Sequence, residues 1–130
     1  MEKVPLHELL LDAAEVDRTR LAEALRDILG IDNKTGSIVL KPGFNSLKTR
    51  QKVLAFLLGM KVSCLLGKLG DESILPKAIQ DGTGLPKGTV NPKLRELREE
   101  KLVTSDTAGK YHIAPHQLSS VLDDLKKSTE

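Results

Sequence analysis

Residues 84–113, GLPKGTVNPKLRELREEKLVTSDTAGKYHI, hold the clearest structural pattern in the chain. Val90, Leu94 and Leu97 recur at the spacing that puts side chains on one face of a helix. Lys101 extends this apolar stripe with the aliphatic part of its side chain. The opposite face of the predicted helix carries Gly88, Pro92, Arg95 and Glu99. The pattern therefore predicts an amphipathic helix that keeps one polar face in solvent.

A β-hairpin is predicted directly after this helix. Residues 102–105 read as a strand, 106–109 supply turn residues, and 110–114 read as the returning strand. Before the helix, residues 73–81 predict another short helix, and a glycine-rich turn at 82–84 joins the two. The inward residues of that earlier helix are expected to be Ile74, Leu75, Ala78 and Ile79. Two helices, a turn and a hairpin in this order are typical of a winged helix-turn-helix, a fold that usually reads DNA.

Two further helices are predicted on either side of this unit. Residues 46–66 read as a helix with Ser46 as its N-cap, and its apolar residues wrap most of its circumference. Because such a helix is buried on more than one side, its second side is predicted to contact another subunit. Residues 116–127, which follow Pro115, predict a last amphipathic helix that can act as a dimerisation arm. The sequence therefore predicts a homodimer through helix 46–66, helix 116–127, or both.

The first 45 residues predict a helical extension. Residues 4–14 and 18–29 read as two amphipathic helices, the second with Asp17 as its N-cap and Gly30 just after its end. The remaining predicted elements are a turn at 32–36, a short strand at 37–40 and a loop at 41–43. The predicted fold is mainly α with a small β-hairpin wing: an N-terminal helical extension of unknown role (1–45) and a winged-helix domain with its C-terminal helix (46–130).

Composition narrows the range of functions. Aromatic residues make up only 2% of the chain, which argues against binding single strands by base stacking. The net charge of +2 is low for a nucleic-acid binder, but residues 33–70 hold seven bases and no acid. This basic block either contacts a polyanion or simply solvates a long helix. The chain has one cysteine, no opening signal-peptide pattern and no apolar run long enough for a membrane span, so we expect a cytoplasmic protein.

The polar residues of the helix that follows the 82–84 turn are candidates for contact with DNA. The helix N-terminus favours an anion such as a phosphate, and Pro92 is tolerated if it falls in the first turn. Asn91 and Arg95 are the best candidates for reading bases, because asparagine pairs with adenine and arginine with guanine. The residues expected in the major groove are Lys87, Thr89, Asn91, Lys93, Arg95 and Arg98. Phosphate contacts are further expected from Lys110 of the hairpin and from Lys48, Arg50 and Lys52 at the start of helix 46–66.

Residues 84–103, GLPKGTVNPKLRELREEKLV, resemble the recognition helix of winged-helix transcriptional regulators. The resemblance is closest to the PadR-like pattern of Gly-Thr, an apolar residue, one further residue, Pro, and then Leu-x-x-Leu before a Leu-Val strand; MarR-like and ArsR-like proteins share a looser version. It covers about residues 47–114. It implies that a homodimer binds double-stranded DNA, with this helix in the major groove and the hairpin on the minor groove or backbone. The chain departs from the pattern at Lys101, where a glycine is usual, and at Asn91, where a tyrosine is common; its short hairpin has only Lys110 as a base.

Other chemistry finds little support. His112 and His116 stand four residues apart, but Pro115 interrupts the helix that a zinc-binding pair would need. Cys64 lies among leucines, and no glycine-rich phosphate loop follows a strand, so we expect neither an enzyme nor a cofactor or metal. Two other binding functions stay open. One is a winged helix for protein contact in a larger assembly, favoured by the near-neutral charge and by Glu96, Glu99 and Glu100; the other is a module that binds duplex RNA.

Overall fold

The computed structural model describes the backbone of residues 18–128 and the side chains of residues 18–126. The helix predicted at 4–14 and the N-cap predicted at Asp17 lie outside these residues. Within them the protein is mainly helical and contains two small antiparallel sheets of two strands each. The elements are α1 (described from 18 to 25), β1 (Leu29–Ile31), β2 (Ile38–Leu40), a 3-10 helix (Pro42–Ser46), α2 (Thr49–Leu65), α3 (Pro76–Thr83), α4 (Lys87–Glu99), β3 (Thr104–Ser105), β4 (Tyr111–His112), a second 3-10 helix (Pro115–Gln117) and α5 (Leu118–Ser128).

Helix α2 lies at the centre of the molecule. It packs against α3, α4 and α5, and also against β1 and β2. Gly59 permits the close approach of the sheet, since a Cβ there would lie 3.0 Å from Ile38 Cδ1 and 3.1 Å from Leu29 Cδ2. Most of the apolar surface of α2 is therefore covered within the chain, except at Leu65, and the contact with another subunit stays a prediction. The apolar stripe of α5 is also buried in the same core: Leu118, Val121, Leu122 and Leu125.

The β1–β2 hairpin corrects the prediction of a continuous helix over 18–29. The helix ends at residue 25, and Gly30, predicted to follow a helix C-terminus, pairs with Val39 in the sheet. Leu29 and Ile31 alternate with Gly30, so they can share one face of a strand that packs on α2. The turn predicted at 32–36 is confirmed, with Asp32 Oδ1 accepting hydrogen bonds from two backbone N–H groups of the turn.

The N-cap of α2 lies two residues beyond the predicted one. Lys48, not Ser46, is the N-cap residue, and its side chain makes no capping hydrogen bond. The segment predicted as a loop forms the 3-10 helix Pro42–Ser46, which buries Phe44. The backbone N–H of Gly43 donates to Asp27 O at 3.1 Å. This contact holds the 3-10 helix against the end of the α1 region, so Ser46 is not free to cap α2.

Helices α3 and α4 are the two helices predicted on either side of the 82–84 turn, but α3 begins later than expected. Pro76 occupies its first turn, where a missing N–H costs nothing, and Leu75 before it is 48% exposed rather than inward. Ile74 instead forms an antiparallel bridge with Tyr111, through backbone hydrogen bonds of 2.7 and 3.0 Å. The bridge therefore joins the α2–α3 connection to the hairpin β3–β4.

The apolar stripe of α4 is confirmed, because Val90, Leu94 and Leu97 are fully buried. Lys101 does not extend it: it lies beyond the helix end, exposed, with a φ of 65°. The hairpin is confirmed with shorter strands than predicted. Gln117 connects the end of α4 to β3, because its amide donates to Lys101 O at 3.2 Å and accepts from the Thr104 hydroxyl at 2.9 Å.

One hydrophobic core serves the whole described chain. The same cluster of buried side chains contains Leu21 and Leu25 of α1, Leu29 of β1 and the apolar residues of α2 to α5. Described residues on both sides of residue 45 contribute to this cluster, and the domain boundary stays a prediction. None of the described helices combines the length and the apolar character needed to cross a bilayer.

Candidate nucleic-acid interface

An open cleft of about 340 Å³ lies between α4 and the β3–β4 hairpin. We call it the α4 cleft. The helix contributes polar and cationic side chains to one wall, and the hairpin contributes the other wall. The lining residues are Pro76, Asn91, Leu94, Arg95, Arg98, Ser105, Asp106, Thr107, Gly109 and Tyr111. The sequence reasoning did not identify Ser105 and Thr107, because their part in the site depends on how the hairpin folds against the helix.

The six residues predicted on α4 do not share one face. Asn91, Arg95 and Arg98 line the α4 cleft. Lys93 lies on the other flank, where its Nζ is 3.4 Å from Glu96 Oε1. Since Thr89 precedes Lys93 by four residues, it lies on that same flank. Five of the predicted residues therefore lie on two different flanks of α4. Asn91, Arg95 and Arg98 line the cleft, whereas Thr89 and Lys93 lie on the flank that faces the start of α2.

Arg95 is the cation of the α4 cleft with the fewest internal contacts. It is exposed and makes no ion pair or side-chain hydrogen bond with any described residue. Arg98 is exposed too, but its Nη1 donates to the Ser105 hydroxyl at 3.2 Å, which fixes it against the hairpin. Asn91 is the weaker base reader, because its Oδ1 is buried without a hydrogen-bond partner. Bidentate pairing with adenine uses that oxygen, so Asn91 would have to change rotamer first.

The N-terminus of α4 carries no capping side chain and no acid in its first turn. The partial positive charge of the helix end is therefore not neutralised locally, and exposed Lys87 adds a full charge. Pro92 is the sixth residue of α4, so the Gly88 carbonyl lacks its helical partner, contrary to the expectation of a first-turn proline. Gly88 is exposed, so that carbonyl can bond to water.

Acidic residues at the other end of α4 are bound to Arg50. Its guanidinium donates to both Glu100 carboxylate oxygens at 2.9 and 2.7 Å and to Asp124 Oδ2 at 2.7 Å. Glu96 lies 3.9 Å away. These hydrogen bonds hold the pKa of the Glu100 carboxyl below its ordinary value. Arg50, predicted to contact phosphate, thus joins α2, α4 and α5 and has little capacity left for a phosphate.

The basic block at 33–70 does not form one surface. Lys61 is buried and its Nζ lies 3.0 Å from Glu72 Oε1, while Lys41 Nζ donates to Arg26 O at 2.8 Å. Lys52 Nζ lies 5.8 Å from the centroid of the Phe44 ring, a cation–π contact. Lys48 is exposed at the N-cap of α2. Of the three residues predicted there, Lys48 is the best placed for a phosphate.

Lys110, the base of the β3–β4 hairpin that was predicted to contact phosphate, lies near the acidic side chain of Asp71. The pKa of the Asp71 carboxyl is lowered, first by a hydrogen bond from the Ser73 N–H and then by the positive charge of Lys110. Asp106 in the hairpin turn accepts from the backbone N–H groups of Ala108 and Lys110, both at 2.9 Å. The charge of Lys110 is therefore partly offset by its surroundings.

Comparison with protein-family models, with curated proteins and with solved structures finds no match to this chain. Among the described residues no group of three or more His, Cys, Asp or Glu side chains could hold a metal ion.

Proposed function

We propose that residues 49–128 form a winged helix and that the chain binds double-stranded DNA through the α4 cleft, as a sequence-specific regulator of transcription. The order of α2, α3, α4, β3 and β4 supports the fold assignment. Ile74 supports it further, because its antiparallel bridge with Tyr111 joins the segment before α3 to the hairpin. The resemblance of residues 84–103 to recognition helices points the same way.

The observation that carries the proposal is the separation of charge along α4. The N-terminal part of the helix is free of acids and the cleft flank exposes Arg95, whereas Glu100 at the other end is bound to Arg50. Acids beside a phosphate backbone oppose binding, and this ion pair reduces that opposition. Arg95 is therefore the residue proposed to read guanine from its O6 and N7 atoms.

The other proposed contacts are to DNA phosphates, from groups that can donate a hydrogen bond or carry a positive charge. Lys87 and the uncapped N–H groups of the first turn of α4 bind phosphate, and the Ser105 and Thr107 hydroxyls donate to the backbone from the hairpin. Lys48 and Lys93 reach phosphates on the opposite flank. Most apolar residues of the two helices suggested for homodimer contact are buried within the chain, so the DNA contacts proposed here are those that one chain can make.

A protein-binding winged helix is the second candidate. The hairpin favours it, because Lys110 lies near Asp71 and the cleft wall includes Asp106. A heparin column and a salt-dependent titration separate the two candidates. A protein-binding module passes through the column and shows no salt slope, whereas a duplex binder loses affinity linearly in log–log terms, by about 0.9 per phosphate contacted.

Arg95→Ala tests the proposal directly. A DNA duplex is first selected from a random pool with the full chain, and it is labelled so that fluorescence anisotropy measures its binding. Duplex RNA of the same sequence serves as a competitor, which tests whether the chain prefers DNA. We expect Arg95→Ala to weaken specific binding by about 1–3 kcal/mol. Lys34→Ala is the matched control, since Lys34 is an exposed cation in the β1–β2 turn, outside the α4 cleft. Equal affinities for the two variants would contradict the proposed reading residue.

A further inference from the structure

A second concave surface lies outside the α4 cleft, between α1, β1 and the C-terminal end of α2. It is a groove of about 310 Å³ with mainly apolar walls. Leu21 and Leu25 come from α1, and Leu65 and Leu66 come from the end of α2. We call it the α1–α2 groove. The proposed DNA contacts do not use it.

The apolar surface of this groove is open to solvent at one edge. Leu65 is 44% exposed and Leu66 is 56% exposed, although Leu54, Leu57 and Leu58 of the same helix are buried. Covering apolar area gains about 25 cal/mol per Å², so two exposed leucines beside a groove favour an apolar occupant. The side chains of Arg18 and Arg26 complete the lining and make no ion pair with another described residue.

One segment of the chain matches both the exposed leucines and the two arginines of this groove. Seventeen residues precede Arg18, which itself lines the groove, so this segment is attached at the edge of the groove. Its sequence predicts an amphipathic helix at 4–14, about 16 Å long, with an apolar stripe of Leu6, Leu9, Leu10 and Ala13. Residues 15–17 leave a connection within the usual length for two packed helices.

The charges of the segment and the groove are opposite. Residues 1–17 contain five carboxylates and a single lysine, whereas the groove lining contains Arg18 and Arg26 and no acid. We propose that residues 4–14 form an amphipathic helix that packs its leucines into the α1–α2 groove, with its acidic side chains near these two arginines. The groove is then an internal docking site, and this inference does not rest on the proposed function.

A cysteine cross-link tests the proposed docking in the full chain. In a Cys64→Ser background, cysteine replaces Leu66 together with Leu6, Leu9 or Leu10. Disulfide formation requires Cα atoms within about 7 Å, so oxidation should link at least one pair within a single chain. The control pairs the same three positions with Leu75→Cys, a similarly exposed leucine ahead of α3. No linkage, equal linkage in the control, or a linked dimer would overturn the proposal; a linked dimer would assign the groove to a second copy.

A double-mutant cycle gives an independent readout. Leu10→Glu and Leu66→Glu should each lower Tm by about 3–6 °C, because each buries a charge in the same contact. The double variant should fall by clearly less than the sum, since the first substitution already removes the contact. Leu10→Glu combined with Leu75→Glu should be additive. Additive losses for Leu10→Glu with Leu66→Glu would contradict the docking, whatever the cross-linking result.

Discussion

Lys101 ends α4 with a backbone conformation that L-residues seldom adopt. Its φ is 65°, and the hydrogen bonds around it are those of a Schellman motif. Leu102 N–H donates to Leu97 O and Lys101 N–H donates to Arg98 O, both at 3.0 Å. The position where the resembled regulators usually carry glycine is therefore a left-handed position in this chain, and lysine is strained there.

Replacing Lys101 by glycine should stabilise the protein. Relief of the left-handed strain exceeds the extra entropy that glycine gives the unfolded chain, so we expect a gain of about 0.5–1 kcal/mol in the free energy of unfolding. Urea denaturation measures it. Lys101→Ala is the control, because its Cβ meets the same strain; a gain of equal size in Lys101→Ala would contradict the explanation.

The Arg50–Glu100 pair should make stability depend on pH. Because Arg50 lowers the folded-state pKa of Glu100 below its ordinary value of about 4.3, the pair stabilises the fold above that pH and is lost as pH falls through the folded pKa. Glu100→Gln should therefore destabilise the protein at pH 6 and lose that difference at a pH below the folded-state pKa of Glu100. Urea titrations at both pH values measure the effect, with exposed Glu99→Gln as the control. A difference that persists at low pH would contradict the ion-pair explanation.

The candidate site residues divide into those that sequence reasoning can locate and those that it cannot. Helical periodicity alone was enough to put Arg95 on the solvent side of α4, opposite buried Leu94 and Leu97. In the sequence, nothing distinguishes Arg50 from Lys48 and Lys52, the other bases near the start of α2. Its partners Glu100 and Asp124 lie 50 and 74 residues further along the chain, so only the packing of α2, α4 and α5 reveals its role.

At the scale of elements, two glycines differ in what surrounds them. A Cβ at Gly43 would lie 2.3 Å from the Asp27 carbonyl oxygen, a backbone atom that cannot turn aside, while a Cβ at Gly88 would meet nothing within 4 Å. Gly43→Ala should therefore separate the 3-10 helix Pro42–Ser46 from the α1 region and destabilise the protein by about 1–3 kcal/mol. Thermal denaturation followed by circular dichroism measures it.

Gly88→Ala is the matched substitution on α4. Alanine favours a helix over glycine by about 1 kcal/mol, so this variant should unfold at the same temperature or higher. If both alanine variants unfolded alike, the contact between Gly43 and Asp27 would not be the cause of the loss.

The type of an element was predictable wherever one periodicity applied, although its bounds were not. The stripe on α4 fits a helix and nothing else, and the structure confirms it. Residues 21–31 satisfy two patterns, because Leu21, Leu25 and Ile28 have helical spacing while Leu29 and Ile31 alternate as in a strand. Pairing with Ile38–Leu40 decides between them, and that contact is not local in sequence.

At the scale of the molecule, the described chain has one core, and hydrogen bonds join its first helix to its last. Arg20 of α1 donates to Ser119 and Asp123 of α5 at 3.1 and 2.9 Å. Within the described residues, helix α1 therefore contacts the C-terminal helix α5. A chain with a single core of this size is expected to unfold in one cooperative step.

Two optical signals can check this cooperativity. Tyr111 is the only tyrosine and the chain has no tryptophan, so its fluorescence reports on the β3–β4 hairpin, whereas far-UV circular dichroism reports on all the helices. We expect the two urea transitions to share one midpoint. Separate midpoints would show that the hairpin unfolds independently of the helical core.

The bridge between Ile74 and Tyr111 also connects the two walls of the α4 cleft. Both backbone hydrogen bonds of the bridge connect the hairpin base to the segment leading into α3, and α3 is packed on α4. The two walls of the cleft are consequently connected through α3. If the proposed duplex contacts both connected walls, bending must come from the DNA, so stiff and easily bent sequences carrying the same base contacts should differ in affinity.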